Sequence, residues 1–372
     1  MVSTLANAWN REGVDVTLIT LASRSADMHL LEPTIERIDL NLASPSPNTF
    51  AALTQTVVRI YRLRAALLSC APDIVISFMT TTNMLTILSC RGLPSPVLVA
   101  ERVFLSKSPP RGMWRLLYRP LYRLAAAVIS QTKRGAADLE ARLKRPVAVI
   151  HNPLIPAADL LRKPLKSDAV LQLRKEGKRW ILAAGRLTAQ KGFDLLIAAF
   201  SRVAATHPEW MLIILGEGPE RSSLAAQIAQ QELTDRILLP GFSGEPQALM
   251  RQADLFVLSS RYEGMPNALL EAMSIGCPCI SFDCETGPAE LIEHGVNSWL
   301  VPPEDVSGLA TALDHLMRDA DLRIRLGAKA RDIEKLYSVD SILGQWNALI
   351  ASVIKNGTNR ASPSRKNIVT PN

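Results

Sequence analysis

Three loops in the second half of this 372-residue chain carry residue types that could hold and activate a charged substrate. GRLTAQKG (185–192) places Arg186 and Lys191 between a strand-like run and a helix-like one. Cations beside a helix amino terminus are disfavoured by ~0.3–1 kcal/mol unless an anion sits between them. A phosphate site therefore competes here with two solvated surface charges, and Gly185 and Gly192 would let the backbone approach a ligand. RYEGMPNALLEAM (261–273) sets Glu263 in a strand-to-helix loop and Glu271 more than a turn into the helix, among Ala, Leu and Met. Pro266 suits the first helical turn, and N–H groups near Gly264, Met265, Asn267 and Ala268 would face an anion. Glu271 has two readings, a carboxylate paired with an arginine or one accepting hydrogen bonds from two sugar hydroxyls. GEGPER (216–221) approaches a dinucleotide fingerprint, but Arg221 replaces the third glycine and no ribose carboxylate stands ~20 residues on. It reads as a tight strand-to-helix turn, with Pro219 in the first turn of a helix over 218–231.

Such loops need rigid elements behind them. RWILAAG (179–185), WMLIILG (210–216), RILLPG (236–241), ADLFVLSS (253–260) and CPCISF (277–282) read as short strands between helical segments. VDVTLITL (14–21), PDIVISF (72–78), PVLVAE (96–101), AAAVISQ (125–131) and PVAVIHN (146–152) form an earlier series. Apolar strands alternating with helices predict parallel sheets covered on both faces. The expected fold is α/β, with two Rossmann-like domains facing each other across a cleft. The first spans 1–165 and the second 166–335; a helix at 336–355 packs back on the first, and 356–372 is a disordered tail.

Composition narrows the function classes. Hydrophobic residues make up 48%, yet no apolar run reaches the ~18 residues a membrane-spanning helix needs. The opening MVSTLANAWNREG reads as neither a signal nor a transit peptide. Five cysteines without metal-like spacing, two of them in CPC (277–279), read as small core residues of a reduced cytosolic protein. The net charge of +7 is concentrated in residues 1–150, which carry 18 Lys and Arg against 10 Asp and Glu. That asymmetry points to a local anionic partner.

Taken together, GRLTAQKGFDLL, GEGPER, the E-x7-E of RYEGMPNALLEA and SFDCETGPAELIEHGVNSWLVPPED resemble glycosyltransferase family 4, retaining enzymes of the GT-B fold that use nucleotide sugars. The match covers nearly all of 180–305 and extends more weakly to the first half through PDIVISFMTTTN, PVLVAER and VIHNP. It is similar to the bacterial branch that adds hexose or N-acetylhexosamine to lipid-linked or capsular oligosaccharides. The resemblance implies that Arg186 and Lys191 clamp the donor diphosphate and that Glu271 binds the ribose hydroxyls. Glu263 and the Gly264–Asn267 loop, including Met265 and Pro266, would hold the transferred sugar and its phosphates. Base contacts would come from the backbone near Pro240 and Gly241. The donor is expected to be a UDP-sugar. Asp319-Ala-Asp321 has DxD spacing but lies in a polar helical segment, so neither metal nor cofactor is expected in the chemistry.

The chain also departs from the family pattern. It opens inside the first helix, so the first strand and its Gly-rich loop are expected to be lacking. Where many relatives carry a His, this sequence has Glu101-Arg102; these two and Asn83 are the candidates for acceptor contact, against a surface ion pair. Lys107, Arg111, Arg115, Arg119 and Arg123 recur nearly every four residues, with Trp114, Tyr118 and Tyr122 between them. Such a face could lie on an anionic membrane or meet a polyprenyl diphosphate, making the protein peripheral on the cytoplasmic side; a solvated helix is the alternative. No nucleic-acid motif occurs. Rival functions are a GT-B UDP-sugar epimerase, which would need a His and carboxylate pair, and a catalytically impaired nucleotide-sugar-binding protein.

Overall fold

Strands buried on both faces belong in the middle of a covered parallel sheet, and the apolar runs lie there. The computed structural model describes residues 1–24, 31–43, 49–154, 177–242, 246–358 and 368–371. It divides into one unit of Met1–Pro153 with Val339–Asn372 and another of Leu154–Ser338. The first division falls at Pro153 because Leu154 already pairs its backbone with Tyr337 and Ser338 of the second unit. Residues 155–176, between the two series of strands, lie outside the described residues.

In the second unit, β7 (Arg179–Ala184), β8 (Trp210–Leu215), β9 (Ile237–Gly241), β10 (Leu255–Leu258), β11 (Cys279–Phe282) and β12 (Trp299–Val301) form one parallel sheet. Their spatial order is β12-β11-β10-β7-β8-β9, the doubly wound order in which the chain reverses direction across the sheet between β7 and β10. Every residue of β8 is buried, from Trp210 to Leu215. The helices Phe193–Ser201 and Val306–Arg318 cover one face through Leu196, Phe200, Leu309 and Leu313. The helix Asn267–Ser274 covers the other through Leu269, Leu270 and Met273. Cys277 and Cys279 are buried, and all five cysteines are free thiols.

In the first unit, β1 (Val16–Thr20), β2 (Glu36–Asp39), β3 (Ile74–Phe78), β4 (Val97–Glu101), β5 (Ala127–Ser130), β6 (Ala148–Val149) and β13 (Ile368–Pro371) make a second parallel sheet. Its order is β2-β1-β13-β3-β4-β5-β6. The tail expected to be disordered thus contributes a central strand: residues 368–371 pair with β1 on one side and β3 on the other. A strand between two parallel neighbours satisfies backbone groups on both. Residues 356–358, also assigned to the tail, end the helix Val339–Thr358. That helix belongs to this unit, where Trp346 meets Trp9 edge-on at 6.1 Å and Phe78 at 6.0 Å.

β2 and β12 were not among the expected strands. The sequence ERID of β2 exposes Glu36 and Asp39 at its ends around the more buried Arg37 and Ile38, charged ends suited to an edge strand. A run of that composition lacks the apolar signal of a central strand.

Candidate active site

The sheet order of the second unit decides which loops meet. Loops at the carboxyl ends of β7 and β10 diverge to opposite sides at the switch point, where open α/β sheets bind ligands. Those loops are GRLTAQKG and SSRYEGMP. The structure brings Lys191 and Glu263 together, with Nζ to Oε1 at 2.6 Å. Ser260 Oγ donates to the same Glu263 oxygen at 2.6 Å.

Each residue is held by identifiable neighbours. Lys191 ends a short 3-10 turn (Ala189–Lys191), and its carbonyl accepts Ser259 Oγ–H at 2.9 Å. Gly192 follows at φ 60°, and a Cβ there would stand 2.1 Å from the Ser259 carbonyl oxygen, so only glycine lets the two loops close. A Cβ on Gly185 would meet the Lys191 stem at 3.1–3.3 Å, so the Lys191 side chain lies along the bare backbone of residue 185. Arg186 is exposed and makes no ion pair among the described residues. Glu263 is buried, and its backbone carbonyl accepts the Thr286 hydroxyl.

Arg261 braces the two loops, a role sequence reasoning missed. Its Nη1 and Nη2 donate to Asp194 Oδ1 and Oδ2 at 2.8 and 2.7 Å, and Nη1 also donates to Ala189 O at 2.7 Å. Nε reaches Glu304 at 3.1 Å. The Arg261 hydrogen bond holds the Asp194 carboxyl below its ordinary range. Only the position of Arg261 next to the glutamate loop could have signalled this, because its partner lies 67 residues away.

Glu271 is half-buried, and desolvation raises its carboxyl above the ordinary range. Its partner is Gln247, whose Nε2 donates to Oε2 at 2.9 Å, in place of the arginine one reading required. Met265 and Pro266 are buried. The helix starts at Asn267 with Pro266 as its cap residue, one position later than expected. Gly264 is half-buried and Asn267 exposed. Pro240 is exposed beside buried Gly241, next to residues 243–245, which lie outside the described set.

GEGPER is a turn, and its helix begins at Arg221, later than expected. Leu187 N–H donates to Glu217 O at 2.9 Å and Glu220 N–H to Leu187 O at 3.0 Å, stitching this turn to the Arg186 loop. Arg221 donates to Glu217 at 2.9 Å and to Leu239 O at 2.8 Å, replacing the missing glycine with a structural tie. Asp319 caps the helix Ala320–Ala330 by accepting Leu322 N–H at 2.8 Å. Among the described residues, no three His, Cys, Asp or Glu side chains gather as metal ligands would. His207 is engaged with Asp314 at 2.8 Å, and the His294 and His315 rings lie against Trp299.

In the first unit, the acceptor candidates sit at the carboxyl edge of β4 but differ in exposure. Glu101 is 2% exposed and accepts Tyr122 Oη–H and Thr80 Oγ1–H at 2.7 Å each. Burial raises its carboxyl above the ordinary range, against those hydrogen bonds. Asn83 is fully buried and donates to Ala100 O and Tyr122 Oη, so its place is beneath the surface and not in contact with an acceptor. Arg102 makes no side-chain ion pair with Glu101; its Nη1 donates to Asn152 at 2.7 Å. Met79, at the end of β3 beside Thr80, has φ 75°, the strained backbone that functional loops retain.

The basic stretch forms the helix Met113–Tyr122. Its aromatic stripe is not a surface feature: Tyr118 and Tyr122 are buried, because Tyr122 serves Glu101. Arg119 and Arg123 donate to the carbonyls of Arg142 and Leu143, capping the helix Lys133–Leu143. Exposed on this stretch are Lys107, Arg111 and Arg115, and Arg119 and Arg123 beyond their carbonyl contacts, with Met113, Leu116 (79% exposed) and Leu124. Among the described residues, no helix is long and apolar enough to cross a membrane.

Residues 167–333 match the model for glycosyl transferases group 1, and residues 1–153 match the glycosyl transferase 4-like domain. The chain belongs to the family 4 type of GT-B glycosyltransferases. It is 38% identical over 175 residues to an exopolysaccharide phosphotransferase of Streptomyces coelicolor, covering 47% of this chain and 19% of that protein. It is 32% identical over 169 residues to the poly(ribitol-phosphate) alpha-N-acetylglucosaminyltransferase of Staphylococcus aureus, covering 45% and 34%. The chain spans less than two thirds of the length of the curated relatives that head the comparison. The crystal structure of Anabaena HepE in complex with UDP and glucose superposes with a TM-score of 0.75 at 19% identity, over 94% of this chain and 95% of that one. That likeness establishes two Rossmann-like domains of the GT-B type.

Proposed function

We propose that the protein is a retaining glycosyltransferase that moves a hexose or N-acetylhexosamine from a UDP-sugar to a polysaccharide or lipid-linked acceptor. The observation that carries this reading is the meeting of Lys191 and Glu263 at the switch point of the second sheet. A cation held over bare backbone, with exposed Arg186 on the same loop, suits the diphosphate of a donor. A buried carboxylate beside it suits hydroxyls of the transferred sugar. In this reading Glu271 accepts the ribose hydroxyls, and Gln247 orients its carboxylate. The backbone of Gly264–Asn267 and of Pro240–Gly241 lines the phosphate and base positions.

Charge builds on the departing diphosphate as the sugar–phosphate bond breaks. Preorganised Arg186 and Lys191 would stabilise that charge, and the phosphate oxygen would take the acceptor proton on the same face. No protein nucleophile and no metal is needed in such a step. HepE binds UDP and glucose, and the staphylococcal relative is named for an alpha-linked product; both accord with a UDP donor and retention. The two relatives act, by name, on anionic or extracellular polymers, which accords with a polymer or polyprenyl-diphosphate acceptor. Arg111, Arg115 and Leu116 would rest on an anionic membrane surface, placing the protein at the cytoplasmic face.

The test is turnover of a panel of nucleotide sugars by purified protein, scored by nucleotide release and anomeric configuration. One UDP-sugar should be consumed with retention, and Glu271→Gln should weaken its binding without loss of folding. Donor binding without turnover for any acceptor would leave only a nucleotide-sugar-binding protein. Interconversion of the free UDP-sugar would instead establish an epimerase.

A further inference from the structure

The guanidinium of Arg102 is placed at the carboxyl edge of the first unit's sheet with one side engaged and the other not. Nη1 donates to Asn152 Oδ1 at 2.7 Å, and the cation lies 5.0 Å over the Phe78 ring. Nε and Nη2 are shielded from solvent and have no hydrogen-bond partner among the described residues. The neighbouring carboxylate cannot serve them: both Glu101 oxygens are taken by Thr80, Tyr122 and the Arg102 backbone N–H. The strand end itself is fixed, because Gln131 Nε2 donates to Arg102 O at 2.8 Å.

Nε–H and Nη2–H are the two parallel donors of an arginine's side-on edge, spaced to meet two oxygens of one anion. Leaving that edge buried and unpaired is expensive, whereas an arriving oxyanion satisfies both donors at once. Burial lowers the Arg102 pKa to about 9, so the side chain is still cationic at neutral pH. Lys133 and Arg102 both act electrostatically on His151, which places a second cation in the same neighbourhood. The imidazole is held neutral there, its pKa lowered to about 4 mainly by burial, so it adds no competing charge of either sign.

We infer that the Nε–Nη2 edge of Arg102 is a recognition site for a two-oxygen anion, phosphate or carboxylate, carried by the acceptor. This rests on the reading of the first unit as the acceptor-binding half of a glycosyltransferase. It would restrict the enzyme to acidic acceptors. Glu101 is then a positioning residue: its buried bonds to Thr80 and Tyr122 hold the carboxylate off the Nε–Nη2 edge, while its charge still favours the cation.

The experiment is isothermal titration of the full chain, in saturating UDP, with inorganic phosphate, methyl glucuronide and uncharged methyl glucoside. At least one anion should bind and the glucoside should not; the anion that binds separates a phosphate-bearing acceptor from a uronic one. Arg102→Lys keeps the charge but loses the fork, and should weaken binding about tenfold or more. Arg102→Met should abolish it, with UDP affinity unchanged; the circular dichroism of that variant shows that the chain stays folded despite losing the Asn152 and Phe78 contacts. Anion binding that is absent, or equal in wild type and Arg102→Met, overturns the inference. If UDP itself fails to bind, the donor reading falls instead. The same titration on Lys191→Ala, with the other cation removed, then still decides the Arg102 site.

Discussion

Replacing Lys191 by methionine separates the structural from the chemical role of the Lys191–Glu263 pair. The charges are 2.6 Å apart, with side chains 20% and 7% exposed. At an effective dielectric of ~20, that distance gives a gross attraction of about 6 kcal/mol, most of it offset by desolvating both groups. Breaking a buried pair on one side typically costs about 3–5 kcal/mol. Ser260 would still donate to Glu263 at 2.6 Å, and Lys191 keeps some solvent, so the low end, about 3 kcal/mol, applies. For a unit of this size that is a fall of about 6–12 °C in melting temperature. Adding Glu263→Gln removes the stranded charge and should restore most of the stability. Turnover should behave differently. Losing a preorganised donor to a developing charge lowers kcat by about 10²–10³, and the double variant cannot recover it. Thermal melts by circular dichroism and initial rates of UDP release read the two effects separately. A double variant that recovers stability and also turns over within about tenfold of wild type would refute the chemical role and leave a brace.

Gly192→Ala should be much more damaging than Gly13→Ala, although both glycines have positive φ. The Gly192 Cβ would collide with Ser259 O, while the Gly13 Cβ meets nothing within 4 Å; denaturant titration should show an added loss of about 1–3 kcal/mol for the former. Acid should weaken the first unit through His151. Its folded pKa of about 4 lies below the ordinary 6.5, so stability present above pH 6.5 is lost as pH falls towards 4, by about 3 kcal/mol at most. Glu101, raised by burial, opposes that slope, and comparison of His151→Gln with wild type by denaturation at each pH isolates the histidine. Charge reversal at Arg111 and Arg115 should lower partition onto anionic vesicles about tenfold or more in a sedimentation assay while leaving the melt unchanged, since near-surface basic residues contribute ~1 kcal/mol each. Equal partition of variant and wild type would remove this face from membrane binding.

Much of the molecule is legible from local patterns. The apolar runs ending at Phe78, Glu101, Ala184, Leu215 and Phe282 announce central parallel strands, because such strands are buried on both faces. Lys191, Glu263 and Glu271 are marked by charge placed in a strand-to-helix loop or an apolar helix, and folding buries or half-buries all three, whereas Arg186 stays exposed. Other features depend on distances in space that sequence spacing does not encode. Edge strand β2 carries too few apolar residues to signal itself, and the tail's strand depends on neighbours about 290 and 350 residues earlier. The sequence could leave Glu271 between an arginine and a sugar, whereas folding supplies Gln247 from another helix. Glu101 and Arg102 are adjacent in the chain, and their sequence leaves acceptor contact and a surface ion pair both open. The pleat sends successive side chains to different surroundings, so Glu101 turns to Tyr122 and Arg102 to Asn152. Sequence by itself determined which residues carry charge at the ends of buried strands. Tertiary structure decided their partners, because whether a buried donor finds an oxygen is a matter of a few ångströms between segments remote in the chain.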